Sequence, residues 1–152
     1  MAKSKLNALT EALVKIDTDT HPLFKKLWDS GVVQRLYHKD YEAFRQTPGL
    51  ALLFLVDDPV KFKETLDMTV IAPEIIKMFD GALTTAAFSD PADGRKIAAE
   101  LGIYRLPSVV VFRYGESMGS IDGLKSWKEY EDELIKILTQ QAPKKTITIA
   151  TA

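Results

Sequence analysis

The chain has no cysteine among its 152 residues. Thiol–disulfide exchange needs a thiolate to attack a sulfur, so that chemistry is excluded, as are disulfides and thiolate metal sites. A cysteine-free chain also suits a reducing compartment. An excess of either charge is lacking too: 20 basic against 21 acidic residues leave −1 net, with no electrostatic footprint for nucleic acid. No apolar run nears the ~18 residues that would insert in a membrane. The start of the chain interrupts its apolar positions with Glu11 and Lys15 and so lacks the continuous core of a secretory signal. The expected location is the cytoplasm. His21 and His38 belong to no ligand-like cluster, so no metal is expected and both read as surface residues. Glycine-rich phosphate loops, Gly-x-Ser-x-Gly and His-Glu-x-x-His are all missing; neither a cofactor nor enzymatic activity is expected.

What is present is the composition of one soluble globular domain, 46% hydrophobic and 27% charged. Leu6, Leu9, Leu13 and Ile16 recur at helical spacing and predict a short amphipathic helix over Ser4–Ile16. It can dock on the domain, mediate self-association or be loosely attached. The polar run Asp17–Thr20 reads as a linker, giving a division into residues 1–20, a domain over 21–138, and a tail over 139–152. Within the domain, Pro22–Asp29 reads as a helix with proline in its first turn and Gly31 to stop it. Val32–Tyr37 predicts a strand and Asp40–Gln46 a helix. Leu50–Val56, LALLFLV, is so continuously apolar that it predicts a strand buried on both faces. Asp67–Phe79 predicts a helix kinked at Pro73, Leu83–Ser89 a strand, and Asp90-Pro91 the start of a helix ended by Gly102. Ser108–Tyr114 and Ser117–Asp122 form a hairpin pattern about Gly115. Ser126 and Glu129 form a capping box for a last helix whose Tyr130, Leu134, Ile137 and Leu138 face the core. This order implies an α/β fold, a mixed sheet with helices on both faces.

Three stretches resemble thioredoxin. Val70-Ile71-Ala72-Pro73 resembles the kinked helix after the dithiol motif. Gly102-Ile103-Tyr104-Arg105-Leu106-Pro107 resembles the loop leading to the cis-proline, and Val109–Gly115 the strand that follows. Counted back from Pro73, the dithiol positions fall on Thr65, Leu66, Asp67 and Met68, none of which supports redox chemistry. The same loop, followed by Gly123-Leu124-Lys125-Ser126-Trp127 opening the last helix, resembles the HyaE/HupG/HoxO hydrogenase accessory proteins over residues 23–138. These are thioredoxin-like proteins associated with membrane-bound nickel–iron hydrogenases. The resemblance implies a non-redox assembly chaperone of thioredoxin-like fold. It would bind the hydrogenase small-subunit precursor, its twin-arginine export signal included, and other hydrogenase accessory proteins.

On that reading the partner-binding residues are Asp57, Asp58, Thr65, Asp67 and Met68 on one side and Tyr104, Arg105, Leu106 and Pro107 on the other. From the dipeptide alone a trans bond before Pro107 is favoured, since only about 5–6% of such bonds are cis in folded proteins; the resemblance reverses the expectation. Asp57, Asp58, Glu64 and Asp67 read either as an acidic receptor for paired guanidinium groups or as a solvated loop neutralised by Lys61 and Lys63. Asp67 alternatively caps its helix. Trp127 reads as a staple of helix to sheet, with partner contact as the other possibility; Phe24, Trp28, Leu23 and Leu27 read as core. Two other functions stay open. One is a general interaction or scaffold module, dimerising through Leu6, Leu9 and Leu13; the other is a cysteine-free enzyme activating a thiol cofactor through Ser108 or Thr65.

Overall fold

The computed structural model describes residues 16–140, so the expected Ser4–Ile16 helix, save its last residue, and the tail beyond Gln140 lie outside the described residues. The first element is α1, Pro22–Asp29; Pro22 stands in its first turn and His21 accepts the Leu23 N–H through Nδ1. It stops where Gly31 takes φ +73°. Five strands follow: β1 (Gln34–Leu36), β2 (Leu50–Leu55), β3 (Thr85–Ser89), β4 (Ser108–Arg113) and β5 (Glu116–Asp122). Helices α2 (Tyr41–Phe44), α3 (Glu64–Lys77), α4 (Gly94–Glu100) and α5 (Trp127–Thr139) alternate with them. The sheet order is β1-β3-β2-β4-β5, with β1, β3 and β2 parallel and β4 and β5 antiparallel to their neighbours. This is the thioredoxin-like arrangement, with α1 added before the first strand.

The apolar run over β2 explains the layers. Successive side chains of a strand point to opposite faces, and all of Leu52, Phe54 and Val56 pack on one side while Ala51, Leu53 and Leu55 pack on the other. The first layer is closed by α1, α3 and α5 through Phe24, Leu27, Met68, Ala72, Ile75, Tyr130 and Leu134. The second is closed by α2 and α4 through Tyr41, Phe44, Ile97 and Ala98. A strand with two buried faces has no polar alternation, which is why the sequence shows none.

Boundaries shift where tertiary contacts compete with local pattern. β1 is three residues long rather than six, because as an edge strand it pairs only where Gln34–Leu36 meets Ala87–Ser89. The expected Asp40–Gln46 helix divides into a 3-10 turn over His38–Asp40 and the short α2. α3 begins three residues before Asp67. α4 begins at Gly94, not at Pro91, since Asp90 anchors a turn: its carbonyl accepts from Asp93 and its carboxylate binds Ala92 N–H and Arg35. In α5, Leu138 is on the exposed side, one residue past the buried Ile137.

Candidate functional site

The loops at the ends of β2 and α4 build the candidate site. At the end of α4 the N–H groups of Gly102 and Ile103 bond back to the carbonyls of Ala99 and Ala98. This is a Schellman motif, and Gly102 supplies its left-handed residue at φ +70°. Ile103 is thereby driven into the second core layer, and the chain emerges with Tyr104 and Arg105 on the surface. Tyr104 is 80% exposed. The chain dives again at Leu106, which joins the core, and the Leu106–Pro107 peptide is cis. Among the described residues neither Arg105 nor Leu106 makes a backbone–backbone hydrogen bond. The Arg105 guanidinium lies against Gly123, where a Cβ would meet it at 2.5 Å.

The opposite wall is less available than its acidic composition suggests. Arg95 donates to Asp57 Oδ2 through Nε and Nη2 (2.9 and 2.7 Å), and through Nη1 to the Tyr104 carbonyl at 2.8 Å. Its guanidinium also sits 5.5 Å from the Phe62 ring centroid. The other Asp57 oxygen accepts the Asp58 N–H, and Asp58 in turn accepts from Val60. Asp57 is thus already paired with Arg95 within the protein. Asp67 does not cap a helix either: α3 starts at Glu64, its cap position Lys63 supplies no side-chain bond, and Asp67 stands exposed near the first turn. Glu64 and Asp67 form no ion pair among the described residues.

Thr65 and Met68 are fully buried; the Thr65 hydroxyl donates to the Asp57 carbonyl and Met68 fills the first core layer. They set the position of the loop and present no side chain to solvent. Pro107 is buried as well, while Tyr104, Arg105 and Asp67 are the expected site residues whose side chains are exposed. Ser108 is buried with its hydroxyl donated to Asp122 at 2.7 Å, so neither hydroxyl proposed for thiol activation is open to a cofactor. Trp127 does not staple helix to sheet: it is 49% exposed at the start of α5.

Arg95 is the residue the sequence did not single out. It joins the two walls across 38 residues to Asp57, and a lone arginine in an amphipathic helix carries no local mark of that role. Its reach depends on Gly94, where a Cβ would lie 1.8 Å from the Val56 carbonyl oxygen. Only glycine lets the start of α4 approach the end of β2 so closely. His38 pairs with Glu100 at the surface, and no group of residues fit to hold a metal occurs among the described residues. No helix of the described residues is long and apolar enough to cross a membrane.

The family model described as Hydrogenase-1 expression protein HyaE matches residues 23–130, which include both walls of the site. The hydrogenase expression/formation protein HupG of Rhodobacter capsulatus is 30% identical over 112 residues, covering 73% of this chain and 80% of that protein. HoxO of Cupriavidus necator is 33% identical over 91 residues, 59% of this chain and 56% of its own length. HoxO of Azotobacter vinelandii is 29% identical over 118 residues, 78% of each. The chain spans less than two thirds of the Cupriavidus relative and of HupG from Rhizobium leguminosarum, where the share is 64%. With the HyaE model covering well over half of the chain, this protein belongs to the HyaE family of hydrogenase expression and formation proteins.

Proposed function

We propose that this protein is a non-redox chaperone that holds the small-subunit precursor of a nickel–iron hydrogenase before export. The observation that supports this reading most directly is that, among the described residues, the backbone of Arg105 and Leu106 makes no backbone hydrogen bond where it runs between an exposed tyrosine and a buried cis-proline. An extended peptide can pair with such an edge through main-chain hydrogen bonds, which give affinity with little dependence on sequence. Selectivity then comes from side chains at the rim. Tyr104 offers an aromatic face, and Glu64 and Asp67 offer carboxylates outside any ion pair among the described residues. Two guanidinium groups of a twin-arginine signal would find partners there, not at Asp57. The absence of cysteine removes disulfide capture of a partner.

Calorimetric titration with the cognate precursor, its signal peptide, a twin-lysine version of that peptide and the mature subunit tests the reading. Saturable binding to the precursor is expected, with loss in the twin-lysine peptide if Glu64 and Asp67 receive the arginines. Binding to the mature subunit alone would retain the chaperone and discard the acidic receptor. No binding to any of the four would overturn the proposal.

A further inference from the structure

Along α3 the carboxylates proposed to receive arginine lead into an apolar groove. Asp67, Val70, Glu74 and Lys77 follow one another at intervals of three and four residues, so they share one face of the helix, and Glu64 stands one turn before Asp67. From Val70 onward that face is one wall of a groove of about 410 Å³, and α1 supplies the other. Val70 and Pro73 line the α3 side; Leu23 and Leu27 of α1, with Val32 just after it, line the opposite side. Val70 is 57% exposed and Val32 40%, whereas Leu27 is buried. The volume falls within the range of ligand sites, about 300–1,000 Å³.

We infer that this groove takes the apolar segment that follows the paired arginines of the export signal. The inference rests on the reading of the protein as a precursor chaperone and adds the place where the second part of the signal lies. Charge and order support it. Glu64 and Asp67 are exposed at the start of α3, while the groove carries Lys26 on its α1 rim and a Glu74–Lys77 pair at 3.0 Å on its α3 rim. A guanidinium is attracted at the start of α3 and repelled at Lys26. An export signal has the same polarity along its chain, a basic region and then an apolar run of about 7–15 residues. Lengths agree as well. Asp67 to Lys77 is about 15 Å of helix, spanned by about ten helical residues or about five extended ones. Aliphatic side chains of the run cover Val70, Val32 and Leu23, and this burial adds to the affinity of the arginine contacts.

The absence of cysteine allows a local probe. Val70→Cys supplies the sole thiol of the full chain, and its alkylation rate is measured with and without the signal peptide. At about ten times the Kd of the peptide, reaction should slow about tenfold, because only the free fraction reacts. Lys128→Cys, at a side chain 82% exposed, should react at the same rate in both conditions. Affinity gives a second arm. Val70→Asp should weaken binding of the intact peptide about tenfold, since a charge then meets the apolar run. A peptide with that run replaced by serines and its arginines kept should bind both forms of the protein equally weakly. The thiol arm stands even if the aspartate disturbs folding. Binding of the intact peptide without protection of Val70→Cys would overturn the inference and leave the chaperone reading in place. Binding of the mature subunit but not of the signal peptide would do the same, and no binding of either would overturn both. Slow reaction of Val70→Cys without peptide would also overturn it, assigning the groove to a second copy if dilution restores the rate and to the chain itself if it does not.

Discussion

Gly94 and Tyr130 illustrate opposite consequences of burial. At Gly94 the missing Cβ is a requirement, since one would penetrate the Val56 carbonyl. Gly94→Ala is expected to cost about 3 kcal/mol, at the upper end of overpacking effects, because backbone on both sides must move. Chemical denaturation checks this; a loss below about 1 kcal/mol would show that α4 shifts freely. At Tyr130 the phenol ring fills the first core layer, but its buried hydroxyl makes no hydrogen bond of good geometry among the described residues. Burial pushes its pKa up, opposed in smaller part by the Lys125 backbone. An unsatisfied buried hydroxyl stabilises nothing, so Tyr130→Phe should leave the melting temperature unchanged or raise it. A fall in melting temperature would reveal a partner for the hydroxyl. Asp57 also shows why sign of charge is a poor guide to a site: its carboxylate belongs to Arg95 before any partner arrives.

At the scale of elements, the ends are where local chemistry acts most clearly. Ser126 and Glu129 form the capping box read from the sequence, each side chain accepting the other's backbone N–H. Ser126→Ala should lower stability by about 1 kcal/mol. The hydrogen bond from the Ser126 N–H holds Glu129 below its ordinary carboxylate value. A depressed folded-state pKa gives stability that is present above the unfolded value and lost as pH falls through the folded one. The melting-temperature gap between the protein and Glu129→Ala should therefore hold at neutral pH and close below about pH 4. A gap unchanged at pH 3 would mean that the carboxylate's charge contributes nothing. Helix ends without such a signature differ from the sequence pattern: α3 starts at Glu64 rather than Asp67 and α4 at Gly94 rather than Pro91, neither with a side-chain cap.

At the scale of the whole molecule, the candidate site is a junction between two loops tied by one guanidinium. Arg95 links Asp57 after β2 to Tyr104 after α4 and stacks near Phe62. Removing it should free the second loop without touching the first core layer. Arg95→Ala is expected to lower the backbone NMR order parameters of residues 104–106 toward those of a flexible loop, below about 0.6, while leaving those of Ile75 and Leu134 unchanged. A general fall across the protein would instead make Arg95 a support of global stability. Partner binding should follow the same geography: Tyr104→Ala weakening precursor affinity about tenfold, as an exposed aromatic anchor does, and Trp127→Ala leaving it unaltered. An equal effect of both would move the interface toward α5.

The sequence by itself determined much at short range. Zero cysteine excluded thiol–disulfide chemistry, period and turn residues marked every strand, and LALLFLV announced a strand with two buried faces. Each of those signals depends on residues a few positions apart, where sterics and capping act directly. Only the tertiary structure decided which of the expected site residues are exposed and which are buried or already paired. It buried Met68 and Leu106, exposed Trp127, and gave Asp57 to an arginine 38 residues away. Such pairings depend on sheet order and on how closely α4 approaches β2, and these arise from the packing of all five strands together. No local pattern carries them, because the energy of a contact is set by where the chain returns and not by what stands beside it in sequence.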